Sequence, residues 1–156
     1  MPVDTVVTVS FHEGKRVDAH IDGQVIRTDQ SVANGGAGLA PEPFSLFLAS
    51  IASCAGFYAM QFCQARTIDT QGLGLSMHCV WDDQSRRYAR ITFALQLPAG
   101  FPQKYHKALQ RAVDACMVKK HILTPPEFEV VLSAADPVEA SLPVAAGEAQ
   151  PADVVR

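Results

Sequence analysis

Apolar and polar residues alternate with period two at the start of the chain. Val7, Val9 and Phe11 are separated by Thr8 and Ser10, the pattern of a half-buried strand. Val17, Ala19 and Ile21 repeat it, and Asp22-Gly23 then predicts a two-residue hairpin turn into a third strand, QVIRT. The segment Ala33-Asn34-Gly35-Gly36-Ala37-Gly38 reads as a flexible loop that Pro41 and Pro43 close, with a long apolar helix following from near Phe44. A second hairpin occupies the middle of the chain. Leu73, Leu75, Met77, Cys79 and Trp81 share one face of its first strand; Ile91, Phe93, Leu95 and Leu97 share one face of its second; DDQSRR forms the turn.

Beyond Gly100 the period changes to that of a helix. Tyr105, Ala108, Leu109, Ala112 and Cys116 recur on one side, opposite Lys104, Lys107, Arg111 and Asp114. Lys119, Lys120 and His121 suit the C-terminal end of that helix, and Pro125-Pro126 stop it. Phe128 to Leu132 is then expected to form a last strand. The element order β-β-β-α-β-β-α-β defines an α+β fold. Residues 1–134 are expected to make the domain. Residues 135–156, rich in Ala, Pro and Val without a period, read as a C-terminal tail.

Composition narrows the possible functions. The chain has 156 residues, 48% hydrophobic and 19% charged, so it suits one globular domain. Its net charge of −3 argues against a nucleic-acid partner, which would call for a basic stripe. From Leu46 to Cys63 the run LFLASIASCAGFYAMQFC is 18 residues without a charge, close to the length of a membrane span. Ser50, Ser53 and Gln61 interrupt it and no basic cluster flanks it, so it reads as a completely buried core helix and no membrane is expected. The N-terminus has neither a basic region nor an apolar stretch of the leader type, so the expected location is cytoplasmic. The four cysteines are then thiols rather than structural disulfides.

Position separates those cysteines. Cys79 shares a strand face with Met77 and Trp81 and reads as a small core hydrophobe. Cys63 lies nine residues past Cys54, about half a revolution round a helix, so the two face opposite ways. Cys54, flanked by Ser53, Ala55 and Gly56, is open to close approach, and Cys116 points inward from the second helix. Lys119 and Lys120 could help hold a thiolate there. From pattern alone the pair is equally well two core cysteines in chance contact. His12, His20, His78, His106 and His121 are scattered, and no CxxC or HExxH spacing occurs, so no metal is expected. No GxSxG elbow and no P-loop lysine is present either.

The stretch GGAGLAPEPFSLFLASIASCAGF, Gly35 to Phe57, resembles the segment that carries the first catalytic cysteine in the OsmC/Ohr family, and Cys116-Met117-Val118 resembles the setting of the second. The resemblance covers about residues 3–133. It implies two long helices packed against antiparallel sheets in an intertwined homodimer, with no cofactor. It also implies a thiol-dependent peroxidase that reduces organic hydroperoxides in oxidative-stress defence. Cys54 would attack the peroxide and become a sulfenic acid, Cys116 would resolve it as a disulfide, and an external dithiol would reduce that. The family's assisting arginine matches Arg16, with Arg27 as fallback. The family's glutamate position after the proline holds Phe44 here, and Glu42, before Pro43, is the nearest carboxylate. That departure keeps open a second reading: a non-catalytic protein of the same fold that binds a small apolar ligand near Cys54.

Overall fold

The computed structural model describes residues 4–132. Strands β1 (Thr8–Phe11), β2 (Val17–Ile21) and β3 (Gln24–Thr28) form an antiparallel sheet in that order. Helix α1 (Pro43–Gln64) follows, then the antiparallel pair β4 (Gly74–Asp82) and β5 (Arg87–Gln96), then helices α2 (His106–Asp114) and α3 (Met117–Leu123). This is the mixed α+β class that the alternating periods predict.

Local chemistry explains most boundaries. Asp22 and Gly23 take φ of 48° and 73°, the doubly left-handed turn that matches the twist of a two-residue hairpin. Pro43 opens α1, where its missing N–H costs no helical bond. Along β4 and β5, Leu75, Met77 and Cys79 face Leu95, Phe93 and Ile91 on the half-buried side, while Ser76, His78 and Thr92 face outward. The register shifts between Val80 and Trp81 because β5 carries one extra residue, Ala89: Val80 pairs with Arg90 and Trp81 with Tyr88.

The core lies between α1, α2 and the β4–β5 hairpin. Ala55, Ala59, Phe62 and Cys63 of α1 meet Leu109, Val113 and Cys116, with Leu75, Phe93 and Leu95 packed against them. The buried positions Ile51, Ala55, Ala59, Phe62 and Cys63 make one stripe at spacings of three and four. Small residues in that stripe let the helices approach closely.

Three expectations change. The long apolar helix is not completely buried by its own chain: Phe47, Phe57 and Met60 stay exposed on sides away from the stripe, and Phe44 is exposed in the first turn. With mean hydropathy 1.5 it is long and apolar enough to cross a membrane by composition, yet it is the central core helix of this domain. The second helix is broken rather than continuous, because the backbone turns extended at Cys116 (φ −47°, ψ 123°) and restarts as α3. Phe128 to Leu132 forms no strand; it has no neighbour to supply a ladder among the described residues, and a strand exists only by pairing. The tail expected over residues 135–156 lies outside the described residues.

The glycine-rich segment is a built loop rather than a flexible one. The Asp29 carboxylate, fully buried, accepts hydrogen bonds from the backbone N–H of Gln30 (2.7 Å), Ala37 (3.2 Å) and Leu39 (3.0 Å). Glu42 accepts from the N–H of Ser31 (2.9 Å) and from Asn34 Nδ2 (2.8 Å). These bonds satisfy backbone donors that would otherwise be stranded between β3 and α1. Gly36 is required by contact, since a Cβ there would lie 2.0 Å from the Gln30 carbonyl oxygen. Gly36→Ala is therefore expected to cost on the order of 3 kcal/mol, because rigid backbone must move to admit the methyl. Denaturant unfolding checks this, and an unchanged midpoint would refute it.

Candidate active site

Cys54 sits past the middle of α1, half-buried, on the side next to the break between α2 and α3. Cys116 is that break, fully buried and oriented back toward α1. The two sulfurs are in hydrogen-bond contact, with Cys116 S–H donating to Cys54. Both are free thiols.

The broken helix has a chemical consequence. The first N–H groups of any helix have no partner four residues back. Here those of Met117 and Val118 point at the Cys54 sulfur, and those of Val118 and Lys119 at the Cys116 sulfur. A continuous helix would have used them internally.

The two thiols consequently diverge. Burial pushes the Cys54 thiol up, but the Val118 amide, the Cys116 S–H and the Met117 amide together outweigh it and hold it below the usual thiol value. Burial pushes Cys116 up, and its bond to Cys54 pushes it further, so it stays protonated above the usual value. One thiolate and one thiol in contact are a nucleophile and its reserve. Cys63 goes the other way: burial raises its pKa against the weaker pull of Arg66, and it packs in the core as the helix phase predicts. Cys79 is half-buried on the β4 face opposite Ile91.

The other candidates are not brought to Cys54 within the chain. Glu42 caps the start of α1, twelve residues before Cys54, about 18 Å along the helix. It is tied to Ser31 and Asn34, which hold its carboxyl below the usual range. Arg16 lies in the β1–β2 turn, where its Nε donates to the Glu13 carbonyl at 3.4 Å and its charge acts on Asp29. The fallback, Arg27, lies on β3 opposite Asp18. Among the described residues no cation contributes to the lowered pKa of Cys54. Lys119, expected to help hold the thiolate, pairs with Asp114 at 2.5 Å instead, and its backbone amide rather than its ammonium serves the site.

Two features escape the residue pattern. The amide donors belong to no side chain, so they become visible only once the helix is known to break. Asp29 left a fainter trace: an acid just before a glycine-rich run is a ready acceptor for loop amides. The Leu39 amide holds its carboxyl below the usual value against the effect of burial, aided by the amides of Gln30 and Ala37 and by the Arg16 charge.

A long central helix presenting a low-pKa cysteine to a buried partner cysteine defines an α+β protein of the two-cysteine type. The OsmC-like protein family model matches residues 35–131, which spans the glycine loop, α1 and both cysteines, and the chain belongs to that family. Solved structures share the fold. One is a protein from Psychrobacter arcticus described as osmotic stress induced and of the detoxification response. It is 24% identical with a TM-score of 0.63, over 77% of this chain and 89% of that one. An OsmC like protein from Mycoplasma pneumoniae is 15% identical with a TM-score of 0.63, over 79% and 89%. An organic hydroperoxide resistance protein OsmC from Legionella pneumophila is 18% identical with a TM-score of 0.53, over 77% and 89%. No curated protein matches the sequence.

Proposed function

We propose that the protein is a thiol-dependent peroxidase for organic hydroperoxides, acting in the cytoplasm in defence against oxidative stress. The observation that carries this reading is the contact between a thiolate-favouring Cys54 and a protonated, buried Cys116. The Cys54 thiolate attacks the terminal oxygen of the hydroperoxide. The O–O bond breaks, the alkoxide leaves and takes a proton to become the alcohol, and Cys54 becomes a sulfenic acid. Cys116 sulfur then attacks the Cys54 sulfur, water leaves, and a disulfide forms. An external dithiol reduces that disulfide and is itself oxidised. Arg16 and Glu42 enter such a site only if another subunit supplies them, since their own chain keeps them with Asp29 and Ser31.

A homodimer fits the same reading. Among the described residues the β1–β3 sheet is not extensively packed on a helix or on the other sheet, and Val9, Phe11 and Ile26 are exposed on one of its faces. A second copy would cover this apolar surface and the exposed Phe57 and Met60 of α1. The names of the Legionella and Psychrobacter relatives support the stress role. Phe44 in place of the family's carboxylate favours the second reading, ligand binding without turnover. Thiol titration before and after a stoichiometric amount of cumene hydroperoxide separates the two. The peroxidase loses two of its four thiols within the first turnover. An unchanged thiol count supports the binder.

A further inference from the structure

The run from His106 to Leu123 contains neither proline nor glycine, the usual causes of a broken helix. Ala115 and Met117, on either side of Cys116, are good helix formers. Yet α2 ends at Asp114, Cys116 turns extended, and α3 starts anew at Met117. Contacts across the break, rather than a breaking residue, hold it.

One of those contacts is ionic: Lys119 Nζ meets Asp114 Oδ1 at 2.5 Å. Residues five apart stand about 140° round an uninterrupted helix and about 7.5 Å along it, so they do not face each other there. The pair forms only when the chain breaks between them. Both charges also stand at helix ends that disfavour them. Asp114 is the last residue of α2, where free carbonyls gather, and Lys119 lies in the first turn of α3, where free amides do. Pairing offsets both placements.

We infer that the Asp114–Lys119 pair is a clamp that selects the broken helix and so positions the amides of Met117 and Val118 on the Cys54 sulfur. The chain between the two charges is Ala115, Cys116, Met117 and Val118. Among the described residues it supplies every group that bonds Cys54, and Cys116 is the one titratable group among them. Lys119 is itself held at two points, by its ammonium on Asp114 and by its backbone amide on Cys116. Asp114 and Lys119 are positioning residues, because they act through these amides and touch neither Cys54 nor a substrate. The inference rests on the contact between the two cysteines and requires no peroxide turnover.

The full-length reduced protein and its variants are alkylated with iodoacetamide across a range of pH, and modification of Cys54 is followed by peptide mass spectrometry. Asp114→Asn and Lys119→Met should each raise the midpoint, with alkylation about threefold slower below it, which is near the most that an exposed ion pair supplies. The double variant should shift no further than either single one, because both remove the same interaction. Lys119→Arg keeps the pair and should keep the wild-type midpoint. A direct field on the sulfur predicts otherwise: loss of the carboxylate would lower the midpoint and loss of the ammonium would raise it. Opposite shifts, additive shifts, or unchanged midpoints in both single variants overturn the inference. Hydrogen exchange at the Met117 and Val118 amides should quicken in the same two variants. Quicker exchange without a midpoint shift would leave the pair a merely structural role and equally overturn it. No probe carries a peroxide, so failure here leaves the peroxidase reading untouched, and failure of that reading leaves these midpoints as they are.

Discussion

Cys54→Ser is expected to abolish peroxide consumption, with a loss of at least about 10³-fold, because a serine hydroxyl stays protonated where a thiol ionises. The amides of Met117 and Val118 favour an anion at that sulfur, and only a thiol supplies one near neutral pH. Two controls separate chemistry from packing. Cys63→Ser places a hydroxyl in the core beside Phe62 and Leu109 and is expected to lower stability by about 1–3 kcal/mol while turnover persists. Cys79→Ser, at a half-buried strand position, should cost less and also retain turnover. Steady-state hydroperoxide consumption and thermal unfolding of the three variants decide the matter. A folded but inactive Cys63→Ser would overturn the assignment of the nucleophile.

Cys116 has two separable duties, and two substitutions resolve them. Neither Cys116→Ser nor Cys116→Ala can resolve a sulfenic acid, so both are expected to consume peroxide for a single turnover and then stop. Their thiolates should differ. Cys116 donates a hydrogen bond to Cys54, which lowers the Cys54 pKa. Serine keeps a donor in that place and alanine does not. The pH midpoint for alkylation of Cys54 in the wild type should lie below that of an ordinary thiol. Alanine should move it upward, toward slower alkylation at neutral pH, while serine holds it nearer the wild type. Mass spectrometry after a stoichiometric dose of hydroperoxide should find a sulfenic or more oxidised Cys54 in both variants and an internal disulfide in the wild type. Continued multiple turnover by Cys116→Ala would remove the resolving role.

Sequence alone determined the period of each element and therefore most of the fold. Alternation along Leu75, Met77 and Cys79 and along Ile91, Phe93 and Leu95 can be satisfied only by a pleated pair with one covered face. Asp22-Gly23 admits a left-handed two-residue turn with little strain. The nine-residue spacing of Cys54 and Cys63 forces them onto opposite sides of α1, so spacing alone separates the core cysteine from the candidate nucleophile. Tertiary structure decided what depends on distant neighbours. The segment from Tyr105 to His121 has uninterrupted helical periodicity, yet the chain breaks at Cys116, because burying that side chain against Ala55 and Cys54 and turning free amides onto two sulfurs outweighs local helix preference. Asp29 becomes a buried anchor only when the loop closes and brings the amides of Ala37 and Leu39 to it from eight and ten residues away. Phe44 and Trp81 carry aromatic character in the sequence, but that both meet Tyr88 follows from the packing of the hairpin tip beside α1. Periodicity records which face of an element is covered; which residues meet across that face is set by the packing of elements far apart in the chain.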